Sequence, residues 1–368
     1  VGFQIIDAVK ILFILGYILS ALTMFLLIRA VLNEKLAVVG ALLYTYIPYK
    51  ALEVYVRGAL NEFWSLVFFP LIFWAIYQLI KTDKLRCFIW TAVSVGLLLL
   101  THNLMSLIFI PLAGVWALLW LHLENRWRLI PRLTLSVLLG LGLAAFFTLP
   151  VFFESRFAHI ESLVGGYFDW RQHFIDVNQL FISNNWGYGS SYLGPGDEIS
   201  LSTGQVHFVL SLIGLGLTAL IYRKHLRWAI IYWVLFATEM LVLFLTHQKS
   251  SFIWERIKFM EFLQFPWRFL ADSIFLISLL SSLGLYFIDL VIPKKFGWWP
   301  WSLEVGVFAV AVCFYLYAGF FQPREWIEMT DQQKFSGQLW EKQLTISIFD
   351  YLPIYSVLPP VTKAPPEP

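Results

Sequence analysis

The chain has 368 residues, of which 59% are hydrophobic, 18% aromatic and only 14% charged, with a formal net charge of +2. A soluble domain carries roughly 25% charged residues, so this balance excludes an ordinary soluble fold, and the scattered basic residues exclude a nucleic-acid-binding patch. The two cysteines, Cys87 and Cys313, fall at or within hydrophobic blocks and offer neither a disulfide framework nor a cysteine metal site.

The apolar residues arrive in blocks of about 18 to 22, the length that crosses ~30 Å of hydrocarbon as a helix. Ten spans are predicted, at 8–28, 36–49, 63–80, 87–101, 104–121, 133–153, 206–222, 227–246, 269–291 and 301–321. The second and fourth are short and require tilt, burial or a re-entrant path. The expected fold is an all-α polytopic membrane protein. It divides into a first bundle of six spans (1–153), an extracytoplasmic loop (154–205), a second bundle of four spans (206–321) and an extracytoplasmic tail (322–368). The tail ends in a Pro-rich stretch and either opens a soluble domain or is disordered. The chain begins at Val1 with no signal peptide and reads as an internal piece of a longer protein.

Orientation follows from the short connections. Arg29 and Lys35; Lys81, Lys84 and Arg86; Arg126, Arg128 and Arg132; Arg223, Lys224 and Arg227; and Lys294 with Lys295 place 13 basic residues on one side, against the acids Glu34, Asp83 and Glu124. Basic loops stay in the cytoplasm during insertion. The opposite side, which carries most of the acids and the unusual polar clusters, is therefore expected to face outward, and the protein is expected in the cytoplasmic membrane of a prokaryote.

Four polar clusters lie on that outward side, each with a functional and a plain structural reading. In 48–62, Glu53 and Arg57 are four apart and can pair on a helix, Gly58 admits close approach of a backbone or ligand, and Glu62 opens the next span. That set suits an Arg that grips a phosphate or carboxylate, or an interfacial helix held by an ion pair. Thr101, His102 and Asn103 interrupt two apolar blocks with almost no loop. His102 can carry a proton or contact a phosphate, or the triplet is a helix-joining turn capped by Asn103. The loop 154–205 mixes Asp169, Arg171, His173, Trp186 and Tyr188 with glycines. This suits a surface that stacks on sugars and bonds their hydroxyls, or an interfacial aromatic belt; Asp169, His173 and Asp176 give only a generic hint of a metal. Gln264, Trp267 and Arg268 precede a span, where Arg268 either pairs with Asp272 or faces an anionic headgroup, and Pro266 fits a helix start.

Within the spans, Glu239 is an intramembrane carboxylate and so a functional candidate, or a neutral acid bonded to a neighbouring helix. Asp289, near Lys294 and Lys295, reads as an orienting anchor. No phosphate-binding loop, dinucleotide fingerprint or zinc-protease motif is present.

The runs Tyr55-Val-Arg57-Gly-Ala-Leu-Asn-Glu62, His102-Asn103-Leu104, Gly166-Tyr-Phe-Asp-Trp-Arg-Gln-His173, Trp186-Gly-Tyr-Gly189, Gln264-Phe-Pro-Trp-Arg268 and Asp350-Tyr-Leu-Pro353 occur in that order. On them the chain resembles the bacterial and archaeal membrane proteins labelled 6-pyruvoyl-tetrahydropterin synthase-related, from about Asp7 to Pro360. The label implies no pterin chemistry. That family is similar to YfhO-like proteins and to the GT-C glycosyltransferases, which use polyprenyl-phosphate sugars. The resemblance implies a transferase acting outside the membrane on a glycan, lipid or protein acceptor; no cofactor is expected from the residues, a divalent metal being unsupported. Its usual catalytic acid, in a first external loop, would lie upstream of this chain. In this reading Arg57 and Arg268 hold the donor phosphate, Glu62 or Glu53 orients an Arg or takes the acceptor proton, and His102 and Asn103 line the floor. Gln264 and Trp267 complete the donor side, and Asp169, Arg171, His173, Trp186 and Tyr188 face the acceptor. The alternatives are a lipid or glycan transporter and a non-enzymatic envelope protein.

Overall fold

The computed structural model describes residues 4–183, 185–194, 196–292, 300–338, 340–341 and 353–356. Among them the chain is helical, with only an isolated antiparallel bridge between Ala158 and Pro353. The principal helices are α1 (Ile5–Val31), α2 (Glu34–Thr45), α3 (Leu60–Thr82), α4 (Leu85–Thr101), α5 (Asn103–Leu123), α6 (Ile130–Leu143), α7 (Ala145–Glu154), α8 (Gln205–Ile221), α9 (Leu226–Thr246), α10 (Leu270–Val291) and α11 (Trp301–Tyr317).

Helix occupies each of the ten expected spans, but not all of these helices are long enough to cross a bilayer. Among the described residues six are both long and apolar enough, α11 with its 3-10 extension to Phe321, and the total rises to seven if the bent pair Trp127–Leu143 and Ala145–Phe157 counts as one span. That pair bends by 73°, so the expected continuous span 133–153 is broken at Ala144. α4 and α8 are 17 residues each. α2 has 12 residues, about 18 Å of helix, and stops before Pro48, which cannot continue its hydrogen-bond ladder. The chain resumes as a turn of helix at Pro48–Ala51 and a π-helical turn at Leu52–Val56.

α10 is the hub, packed by α2, α8, α9 and α11. It is buried on every side from Leu270 to Ile288 apart from Tyr286, which explains why its sequence shows no polar face. Three of its serines are satisfied by its own backbone: Ser278 donates to Ile274 O, Ser281 to Ile277 O and Ser282 to Ser278 O. α8 reaches α10 at a glycine crossing, where Gly214 and Gly284 bring the two backbones together, the usual device for close helix contact in lipid.

Three of the basic connections meet at one end of the bundle. There Lys81 and Arg227 both pair with Glu124, and Arg132 reaches Asp83 at 2.6 Å. Burial pushes the Glu124 carboxyl up, but the bonds to Arg227 and Lys81 outweigh it and hold the group below the usual range. Asp289, expected to anchor against Lys294 and Lys295, instead accepts the Ser302 backbone N–H (3.0 Å) and hydroxyl (2.5 Å) and so secures the start of α11; the two lysines lie outside the described residues. At the other end the tail folds back, and Asp331 accepts from the free N–H groups of Ile5 and Ile6 at the start of α1.

Candidate functional site

The 48–62 segment turns sharply because its geometry departs from an α-helix. Arg57 N–H bonds back to Leu52 O, five residues earlier, and Gly58 then takes a φ of +59°. A Cβ at Gly58 would meet nothing within 4 Å, so glycine is required by the left-handed backbone, not by the close approach expected from the sequence. This reversal lets Arg57 reach both neighbouring acids. Its Nη1 lies 2.5 Å from Glu53 Oε1 and 2.5 Å from Glu62 Oε2, and Nη2 lies 3.0 Å from Glu62 Oε1.

Arg268 completes the cluster. Its Nε donates to Glu62 Oε1 at 3.0 Å and its Nη1 donates to Leu263 O (2.6 Å) and Gln264 Oε1 (3.0 Å). The expected Arg268–Asp272 pair does not form, because the 3-10 turn Pro266–Phe269 aims the guanidinium at α3. Asp272 Oδ1 is left buried without a partner. Gln264 has φ +62° and ψ −47°, and Phe265 N–H bonds to Leu263 O at 2.6 Å. Together these define a γ-turn of the strained kind. The Gln264 side chain fixes that turn to the long loop by donating to Leu163 O at 2.9 Å.

His102 precedes α5 in extended conformation, and its Nδ1 accepts the Met105 N–H at 3.4 Å. The cap is therefore His102 and not Asn103. An accepting Nδ1 places the ring proton on Nε2, which faces Glu62 Oε1 at 3.6 Å, an electrostatic contact longer than a hydrogen bond. Aromatic rings frame the two arginines. Arg57 lies over Trp267 at 4.4 Å, Trp267 stacks on Phe265 at 4.7 Å, and Arg268 lies over Phe265 at 5.1 Å.

Glu62, Glu53 and Arg268 are nearly fully buried, while Arg57 and His102 keep 17% and 18% of their side-chain surface exposed and form the opening. Four buried polar atoms of this region have no hydrogen-bond partner in the protein: Glu53 Oε2, Tyr49 Oη, Asn103 Oδ1 and Trp267 Nε1. Burial pushes the Glu53 carboxyl up to about 7; Arg57 opposes the rise and Glu62 adds to it. Tyr49 was not singled out in the sequence, since a Tyr next to Pro48 looks like any interfacial aromatic.

Of the loop candidates, His173 is buried, with Nε2 2.5 Å from Tyr167 O and its ring 4.7 Å from Phe265, so it props the wall that Phe265 presents to Arg268. Burial lowers its pKa below the usual imidazole value. Asp169 and Arg171 bond to one another at 3.2 Å near the surface. Trp186 stacks on Phe320, and Tyr188 donates to Gln322 O; none of these four touches the arginine cluster. Glu239 accepts from Ser273 Oγ of α10 at 2.5 Å, as the helix-bonded reading of that residue has it. Among the described residues no three His, Cys, Asp or Glu side chains gather to hold a metal ion. Asp350 to Leu352 lie outside the described residues; Pro353 pairs with Ala158.

Protein-family models, curated proteins and solved structures were compared with the chain, and none of them matches. The chain is a helical protein with several membrane-length apolar helices, and its site must be read from its own geometry.

Proposed function

We propose that this protein is a membrane glycosyltransferase that takes a sugar from a polyprenyl-phosphate carrier at the extracytoplasmic face, of the kind found in the GT-C group. The observation that carries the reading is the convergence of Arg57 and Arg268 on Glu62, from segments 206 residues apart in the case of Arg268, beside an acid with a free oxygen.

In such a reaction the acceptor hydroxyl attacks the anomeric carbon as the bond to the phosphate oxygen breaks. The carrier leaves as a phosphate with increased negative charge, and the acceptor loses a proton. Two guanidinium groups fixed in place stabilise that charge more in the transition state than in the ground state. The geometry divides the acids between two roles. Glu62 has both oxygens engaged by arginine and orients them. Glu53 has Oε2 free and an affinity for protons near neutrality, which suits a general base. The Nε2–H of His102 supplies a further donor to the phosphate. The extracytoplasmic assignment rests on the basic connections at the opposite end of the bundle.

A transporter would place its site at helices broken near the midplane. The arginine cluster instead lies at helix ends, in the connection between α2 and α3 and just before α10. This favours the transferase.

The test is binding of undecaprenyl-phosphate and dolichyl-phosphate sugars to the purified protein. Arg57→Ala and Arg268→Ala are expected to weaken binding at least tenfold in preparations that remain monodisperse. Binding equal to wild type in both variants removes the phosphate assignment. A single cysteine at Tyr188, reactive only towards a permeant reagent in intact cells, would place the site on the wrong side.

A further inference from the structure

Apart from the arginine cluster, a cavity of about 550 Å³ opens where the 185–198 segment meets the chain that follows α11. It is lined by Asn185, Tyr188, Asp197, Glu198 and Arg324 and by the backbones of nearby glycines. Its walls come from segments 134 residues apart, held together by two contacts. Trp186 stacks on Phe320 with ring centres 4.5 Å apart and planes 10° from parallel, and Tyr188 Oη donates to Gln322 O at 3.5 Å. The floor is equally constrained. Gly187 and Gly189 flank Tyr188, and a Cβ on either would run into Glu198.

One of the polar groups is held by the protein itself. Asp197 is buried, with Oδ2 accepting from Gln179 Nε2 at 2.8 Å and Oδ1 accepting the Ile199 N–H at 3.3 Å. A second cavity of about 130 Å³ shares Asn185 and Asp197 with the first. Tyr188 leaves 38% of its surface exposed, and the Arg324 guanidinium lies 5.8 Å from its ring.

The ligand class follows from this chemistry. Carboxylates accept hydroxyl protons, while the guanidinium and the Asn185 amide donate to hydroxyl oxygens, so donors and acceptors face inward side by side. The Tyr188 ring gives a flat apolar face of the kind that covers the C–H face of a sugar. An apolar ligand would strip water from these charges without replacing it. A phosphate or sugar acid would meet two carboxylates, and a simple cation would meet Arg324. The volume falls within the roughly 300–1,000 Å³ of small-ligand pockets.

We propose that this cleft is a binding site for a neutral oligosaccharide. Its role as the place where an acceptor glycan is held rests on the transferase reading; saccharide binding itself does not.

The experiment measures binding of chitotriose, mannotriose and cellotriose to the full chain in lipid nanodiscs by saturation-transfer NMR and calorimetry. Saturable binding of at least one trisaccharide is expected, weakened tenfold or more by Glu198→Gln and by Arg324→Ala. Arg57→Ala, which tests the transferase reading, is expected to leave trisaccharide binding unchanged. Because Arg324 is exposed, its variant decides the matter if Glu198→Gln unfolds the loop. No saturable binding by any of the three, or wild-type binding by Arg324→Ala, overturns the proposal.

Discussion

Arg268 Nε stands 3.0 Å from Glu62 Oε1, so one buried carboxylate holds two guanidinium groups that enter from opposite halves of the chain. Removing one partner of a buried ion pair leaves an uncompensated charge, at a cost of about 3–5 kcal/mol. Glu62→Ala is therefore expected to lower the melting temperature in detergent more than Glu62→Ala combined with Arg268→Met. If the double variant is as unstable as the sum of the single ones, the pair is not coupled.

The Glu53 carboxyl, pushed up to about 7 by burial, gives stability a definite slope with pH. A raised native pKa means that the folded state binds the proton more tightly than the unfolded chain does. This contribution is fully present below about pH 4.5 and is lost as pH rises through 7. Melting temperatures from pH 4.5 to 8 are expected to favour Glu53→Gln over wild type increasingly up to pH 7, with no further change above it. A difference that is flat across this range contradicts the assignment.

The crossing of α8 and α10 sets a steric limit. A Cβ on Gly214 would lie 2.8 Å from Gly284 Cα and against the Tyr232 phenol, whereas Gly216 has open space. Gly214→Val is expected to abolish the monodisperse peak in fluorescence-detected size exclusion, and Gly216→Val to preserve it. Equal profiles would mean that the helices do not cross at this point.

Lys50 is fully buried; its Nζ donates to Ser20 Oγ at 2.9 Å and lies 3.4 Å from the centre of the Tyr44 ring. Burial drives the amine well below the usual lysine range. Ser20 still donates to Tyr17 O without it. Lys50→Met, of similar length and without the desolvated amine, is expected to match or exceed wild type in thermal stability. A fall of more than about 2 °C, roughly 1–2 kcal/mol in a protein of this size, would show that the amine contributes to the fold.

Much of the architecture was legible in the residues. Apolar blocks located the helices because the backbone in hydrocarbon must satisfy its own hydrogen bonds. The Glu53–Arg57 pair could be anticipated because four residues make one helical turn. The partner of Arg268 could not: Asp272 was the local choice, and the 3-10 turn at Pro266–Phe269 turned the side chain towards α3. His173 was legible as a polar residue of the loop, but not as a buried support for Phe265, since that contact joins segments about ninety residues apart.

By itself, then, the sequence determined that this is a helical membrane protein, which residues lie in its helices and where its charges fall, because these depend on hydrophobicity and local spacing. Tertiary structure alone decided that 133–153 breaks at Ala144, that two arginines share Glu62, and that the loop and the tail enclose a polar cleft. Those outcomes depend on how distant segments pack, and neither side-chain direction nor contact between remote parts of the chain is encoded in any short stretch of residues.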